Sequence, residues 1–145
     1  RTGIVLVSHG GALAKMLLPF KCFLGGRIGD GQQYMSWIHY RDHIHAMGYL
    51  LETDSVSGAV NMVAPTAEKN QVFTQALAKA LGRIAVLPVP QKLLALLLGE
   101  SSCLLLSSQR VVPQRLLDSG FEFQFPSLNV ALQELVENTS HKRMN

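Results

Sequence analysis

The feature that most constrains the fold is an apolar run at the start of the chain, RTGIVLV, with no methionine ahead of it. Its apolar residues are continuous and partly β-branched, which predicts a short buried strand from Thr2 to Val7. The turn Ser8-His9-Gly10-Gly11 then leads into residues 12–23, whose apolar side chains recur at helical spacing until Pro19 forces a kink or an end. A buried strand followed by a helix is typical of α/β folds. We expect an internal strand of a longer protein.

The same order returns further along the chain. A strand is predicted at Val60–Val63, and Thr66 is a suitable N-cap for a helix that Gly82 closes. The predicted buried face of that helix holds Val72, Phe73, Ala76, Leu77, Ala80 and Leu81. We therefore assign residues 1–86 to one α/β lobe.

The character of the sequence changes after this lobe. Leu87-Pro88-Val89-Pro90 predicts an extended linker, followed by a short leucine-rich helix that ends at Gly99. Pro113 opens a further helix, closed by Gly120. Alternating phenylalanines at 121, 123 and 125 indicate a strand with one buried face, and Ser127 caps a final helix. We expect a small, mostly helical domain at 87–137 and a disordered tail at 138–145.

Composition excludes several classes of protein. The chain is 48% hydrophobic and 16% charged, so it can bury a core. Its net charge of +3 is spread without a basic stripe and aromatic partners, which argues against nucleic-acid binding. The longest apolar run, Leu93–Leu98, is far shorter than the roughly 20 residues that a membrane span needs. Cys22 and Cys103 form neither a zinc motif nor a disulfide framework, so we expect a reducing, cytoplasmic setting.

Three of the five histidines, His39, His43 and His45, lie within seven residues. A helix is predicted to begin near Arg41-Asp42, with Ile44, Met47, Leu50 and Leu51 as its buried stripe. On that helix His43 and His45 point about 200° apart, and His39 precedes it on a strand. Metal ligands must converge, so no metal site is predicted.

The glycines from Gly25 to Gly31 do not form a phosphate loop, because no Lys-Ser/Thr pair and no helix follow them. A strand-like run, Tyr34 to Ile38, follows instead. The pair Asp30-Gly31 therefore predicts a hairpin turn.

Several motifs resemble one family. They are RTGIVL, GGALAKMLLPFK, GGRIGDGQQYMSWIHYRD, LPVPQKLLALLLGE and SQRVVPQRLLDSGFEFQFP. Together they are similar to the C-terminal part of atypical extended short-chain dehydrogenase/reductases, the NAD-dependent epimerase-like proteins that end in a small domain of unknown function. The resemblance implies an α/β, Rossmann-like fold whose N-terminal dinucleotide-binding half is absent from this chain.

The resemblance also implies what this chain lacks. The family's glycine-rich fingerprint is absent, and Tyr34, Tyr40 and Tyr49 have no lysine four residues on. No catalytic residue is therefore assigned, and no cofactor is expected for this chain alone. The parent protein would use NAD or NADP.

Site residues follow by analogy with the family. Thr2 and Gly3 would approach the nicotinamide, and Gln33, Ser36, Trp37 and His39 would line the cleft for a small-molecule, sugar-nucleotide-like substrate. Core packing for Trp37 and a structural hydrogen bond for His39 are the alternatives.

The family's pyrophosphate-binding arginine corresponds to Met35, which cannot pair with phosphate oxygens, so the nucleotide-sugar substrate stays open. Arg27 would be the substitute. Arg110 would either face the cleft or, as we favour, pair with a surface carboxylate.

A different class of function stays open beside this one. The chain would then be a non-enzymatic interaction module whose uncovered apolar surface binds a partner chain or a second copy of itself. Neither nucleic acid nor a membrane is an expected partner.

Overall fold

A computed structural model of the chain describes residues 1–21, 25–85, 88–90 and 108–141. In chain order, its elements are β1 (Ile4–Leu6), α1 (Gly11–Lys21), β2 (Tyr34–Met35), β3 (Trp37–His39), α2 (Tyr40–Glu52), β4 (Glu68–Lys69), α3 (Asn70–Ala80), α4 (Gln114–Asp118) and α5 (Leu128–His141). The predicted α/β class is confirmed. The leucine-rich helix predicted to end at Gly99 lies outside the described residues.

The strands form two small sheets. β1 pairs with β3 in parallel, with Ile4 beside Trp37, and β2 pairs with β4 in antiparallel fashion. Ser36 separates β2 from β3, so the chain passes from one sheet into the other at this residue. The strand predicted at Val60–Val63 is reduced to one parallel bridge, between Thr2 and Met62.

Both ends of the chain build the main hydrophobic core. Leu6, Trp37 and Phe73 have no exposed surface, and α5 adds the equally buried Leu132 to the same cluster. α5 packs against α3 and continues to His141, past the predicted start of the tail at residue 138. Within the described ranges, no helix has the length and apolar character that a membrane crossing requires.

α2 buries a different face from the predicted one. Asp42 and Ala46 point inward, whereas Ile44, Met47 and Leu51 face solvent, with Leu51 86% exposed. Hydrogen bonds from distant backbone amides hold Asp42 inside, and they fix the rotation of the helix. Of the predicted stripe only Leu50 is partly buried, against the cluster of Ala46, Leu116 and Phe121. The rest is wrong because hydrophobic periodicity does not account for a buried carboxylate that has hydrogen-bond partners.

The start of α3 also differs from the prediction. Thr66 is not its N-cap, because Glu68 and Lys69 form β4 opposite β2, and the helix begins only at Asn70. Glu68 and Lys69, which the capping rule assigns to the helix, therefore form a strand instead. The predicted end is confirmed, since Gly82 follows α3 with a left-handed φ of 62°.

Two predicted β features, the hairpin at Asp30-Gly31 and the strand from Phe121 to Phe125, differ in the structure. The turn at Asp30-Gly31 is confirmed, but it joins no hairpin, because Ile28 bridges Val89 instead. Phe121 to Phe125 is an extended segment without a partner strand among the described residues. Part of its backbone hydrogen bonding goes to the carboxylate of Asp42.

Candidate functional site

A groove of about 480 Å³ opens beside the two sheets. Its lining comes from the start of the chain, β2 and the segment after residue 107. The lining residues are Arg1, Thr2, Gly3, Ile4, Tyr34, Met35, Ser36, Asn61, Val63, Gln109, Arg110, Val111 and Val112. Its volume falls within the range of small-molecule sites, roughly 300–1,000 Å³.

One wall of the groove is a short parallel backbone pairing. Met62 N–H donates to the Arg1 carbonyl at 2.7 Å, and Gly3 N–H donates to the Met62 carbonyl at 3.2 Å. Gly3 sits so close to its neighbours that a Cβ there would lie 2.7 Å from both the Ser36 carbonyl oxygen and Val63 Cγ1. Glycine at this position is therefore required by close backbone packing. Ile4 and Val63, just beyond the pairing on its carboxyl side, also line the groove.

The opposite wall is the 108–111 segment, which is hydrogen-bonded to β2 and Ser36. The Ser36 hydroxyl donates to the Gln109 carbonyl at 2.7 Å and accepts from the Val111 amide at 3.0 Å. Tyr34 exchanges two further bonds with Ser108 and Gln109. This backbone attachment brings Arg110 to the groove.

Arg110 carries a charge that no carboxylate of the described residues balances at ion-pair distance. Its guanidinium carbon lies 5.3 Å from the centre of the Tyr34 ring. Arg110 lines the groove, in line with the cleft-facing alternative, and the favoured surface ion pair is not seen among the described residues.

The predicted site residues separate into two groups. Thr2, Gly3 and Ser36 line the groove, whereas Arg27, Gln33, Trp37 and His39 do not. Arg27 is exposed elsewhere, and the Gln33 amide donates to the Ile28 carbonyl at 3.3 Å. Trp37 and His39 are fully buried. The substrate roles assigned to these residues stay predictions.

His39 makes defined polar contacts inside the protein. Its Nδ1 accepts the Arg41 amide at 3.3 Å as the N-cap of α2, so Nε2 carries the proton and donates to Glu134 at 3.0 Å. Glu134 also forms an ion pair with Arg41 and accepts a hydrogen bond from the Asn138 amide. The Phe125 ring stacks on the imidazole at 3.8 Å. Through these contacts His39 links β3 and α2 to α5.

Stability is expected to fall as the pH drops below about 6.5. Burial lowers the pKa of His39 below its ordinary value of 6.5, and this outweighs the raising effects of Glu134 and Asp42, while Arg41 lowers it further. The unfolded chain then binds the proton first, so the contribution of neutral His39 is complete above pH 6.5 and is lost below it. Urea unfolding between about pH 8 and about pH 5 measures this loss. His39→Asn keeps a good N-cap residue and should flatten the dependence; an unchanged slope would assign it to other groups.

The other two clustered histidines, His43 and His45, contact different parts of the protein. His43 Nε2 lies 3.4 Å from the Thr2 hydroxyl, and the His45 ring packs 5.0 Å from that of Phe121. Among the described residues, no three His, Cys, Asp or Glu side chains converge on a metal position.

Two buried polar residues with structural roles were missed or undervalued in the sequence. Asn70 has no exposed surface; its Oδ1 accepts the Ile28 amide at 2.8 Å, and its Nδ2 donates to Met35 Sδ at 3.3 Å. The sequence predicts only a helix-start role for Asp42, yet its carboxylate accepts the backbone amides of Gln124 and Phe125. Asn61, which lines the groove, carries no sequence signal that would have identified it.

Comparison with known proteins finds relatives of one kind. Residues 89–135 match the domain of unknown function DUF1731. The epimerase family protein SDR39U1 of Mus musculus is 45% identical over 137 residues, which span 94% of this chain and 47% of the mouse protein. The chain thus spans about half the length of that relative.

Solved structures agree with the sequence matches. The crystal structure of human epimerase family protein SDR39U1 with NADPH has a TM-score of 0.87 at 42% identity, covering 95% of this chain and 47% of that one. The nucleoside-diphosphate sugar epimerase from Corynebacterium glutamicum has a TM-score of 0.68 at 25% identity, covering 100% of this chain and 29% of the other. The family resemblance is confirmed: the chain corresponds to the C-terminal part of an epimerase family protein with the Rossmann-like short-chain dehydrogenase/reductase fold.

Proposed function

We propose that this chain is the substrate-binding part of an NAD(P)-dependent epimerase or oxidoreductase. The observation that carries the proposal is the groove, whose volume of about 480 Å³ suits a small molecule and whose lining combines polar side chains with apolar ones. The ligand we propose is a small molecule of the sugar-nucleotide class.

The parent protein is proposed to use NAD or NADP, and the human relative's structure contains NADPH. Thr2 and Gly3 line the groove and are proposed to approach the nicotinamide. The glycine-rich fingerprint and the Tyr-x-x-x-Lys pair are absent from this sequence. This chain's own residues are therefore proposed to bind and orient the substrate, in the cytoplasmic setting that the two cysteines predict.

Filling the groove with Val112→Trp is expected to abolish ligand binding. Val112 lines the groove and is 45% exposed, so the larger side chain occupies the cavity without entering the core. The measurement is an amide NMR titration with UDP-glucose and, separately, NADPH. UDP-glucose should shift the amides of Gly3, Ser36 and Asn61 in the wild-type chain.

Val130→Trp is the matched control, because Val130 is 54% exposed on α5 and does not line the groove. It should bind UDP-glucose like the wild type. Equal shifts in both tryptophan variants would place the ligand elsewhere and reject the proposal.

A second candidate, an interaction module, is favoured by one observation. Ile44, Met47 and Leu51 expose apolar surface on successive turns of α2. Exposed apolar residues on one helix face are available for contact with another chain. The same titration separates the candidates, since an interaction module leaves the groove amides unmoved by both small molecules.

A further inference from the structure

We propose that Arg110 binds an anionic group, a phosphate or a carboxylate, of the ligand in the groove. This inference rests on the proposed function of the groove and adds the chemical class of its ligand. It also gives the 108–111 segment a role in recognition.

The charge of the groove is the first argument. Its lining contains two arginines, Arg1 and Arg110, and no aspartate or glutamate. Within the described ranges, no carboxylate lies within 4.0 Å of the Arg110 guanidinium. Uncompensated positive charge in a concave site favours an anionic ligand.

The position of the guanidinium is the second argument. Arg110 lies over the face of Tyr34, 5.3 Å from the ring centre. The planar guanidinium carries N–H donors that can bind two oxygens of a phosphate or carboxylate together. No protein acceptor for those donors is found in the described part of the chain.

The backbone around Arg110 is held on both sides, which is the third argument. The Ser36 hydroxyl donates to the carbonyl of Gln109, the residue before Arg110, at 2.7 Å. The same hydroxyl accepts from the amide of Val111, the residue after Arg110, at 3.0 Å. Ser36 is 8% exposed, so its hydroxyl is committed to this backbone. Ser36 is thus a positioning residue for Arg110. Such preorganisation lowers the entropy cost of binding.

The two other candidate positions do not supply the charge. Met35 stands where the family resemblance has its pyrophosphate arginine, but its side chain is 2% exposed and its sulfur accepts from Asn70. Arg27 is exposed and does not line the groove. Arg110, from the DUF1731 match, therefore supplies the cation that this part of β2 lacks.

Isothermal titration of the full chain with inorganic pyrophosphate and with succinate tests the inference and separates the two anion classes. Arg110→Gln should weaken binding of the favoured probe by about tenfold or more. Arg110→Lys should lie between Gln and wild type, because it keeps the charge and loses the planar fork. Lys79→Gln, which removes an exposed positive charge outside the groove, is the matched control and should stay within about twofold of wild type.

Ser36→Ala should also weaken the probe, with an unchanged far-UV circular dichroism spectrum, because it releases the backbone around Arg110. Equal effects of Arg110→Gln and Lys79→Gln, or none from Arg110→Gln, would overturn the assignment. If neither anion binds the wild-type chain but UDP-glucose moves the groove amides, only the anion assignment fails. If nothing moves those amides, the proposed function fails with it.

Discussion

Replacing Asp42 with alanine is expected to lower the free energy of unfolding by about 3–5 kcal/mol. The carboxylate has no exposed surface and accepts the backbone amides of Gln124 at 2.8 Å and Phe125 at 2.9 Å. Its removal leaves two amides without an acceptor, at about 1–3 kcal/mol each. It also removes a negative charge from the first turn of α2, worth about 0.3–1 kcal/mol.

Urea unfolding monitored by circular dichroism measures this loss against a matched carboxylate. Asp54 is exposed just after α2, so Asp54→Ala should change stability by less than about 0.5 kcal/mol. The stability loss in Asp42→Asn should lie between those of Asp42→Ala and Asp54→Ala. The asparagine oxygen still accepts one backbone amide, but its NH₂ group faces the other amide, which is also a donor. If Asp42→Ala behaves like Asp54→Ala, the link from α2 to the 121–125 segment does not stabilise the fold.

The parts of the fold that were predictable obey local rules. β1 follows from a continuous apolar run, and the ends of α3 and α4 follow from glycines with positive φ, Gly82 and Gly120. In each case the signal and the structure lie within a few residues of each other. Such elements need no knowledge of distant partners.

The features that escaped prediction depend on partners far along the chain. The rotation of α2 is set by Asp42 and a segment 82 residues away. The position of the 108–111 segment is fixed by its hydrogen bonds to Ser36, which lies 73 residues before Gln109. Hydrophobic period and capping preference carry no information about these contacts, because the partner is not in the window that they examine.

The candidate site shows the same division. Thr2, Gly3 and Ser36 came from family analogy and line the groove. The sequence favours a surface ion pair for Arg110, and its place in the groove wall beside Tyr34 is known only from the structure. A polar side chain at a groove wall, such as Asn61, has no local pattern, because its neighbours in space come from other elements.

Leu132→Ala is expected to cost about 2–5 kcal/mol and to destabilise the whole chain, including the α/β lobe. Leu132 is fully buried on α5 and belongs to the same cluster as Leu6 and Phe73. Shortening it leaves a cavity at the contact between α5 and α3. Because the core crosses residue 87, the predicted boundary of the small domain, we expect one cooperative unfolding transition.

The single tryptophan makes this testable, because Trp37 is fully buried on β3, far from Leu132 in sequence. In Leu132→Ala, tryptophan fluorescence and far-UV circular dichroism should show the same lowered urea midpoint. Val130→Ala, on the same helix but 54% exposed, should leave both midpoints within about 0.5 kcal/mol of wild type. A lowered dichroism midpoint with an unmoved Trp37 midpoint would mean that residues 87–137 unfold as a separate domain. In that case the groove, which takes Arg110 from one side of the boundary and Gly3 from the other, would open before the lobe itself unfolds.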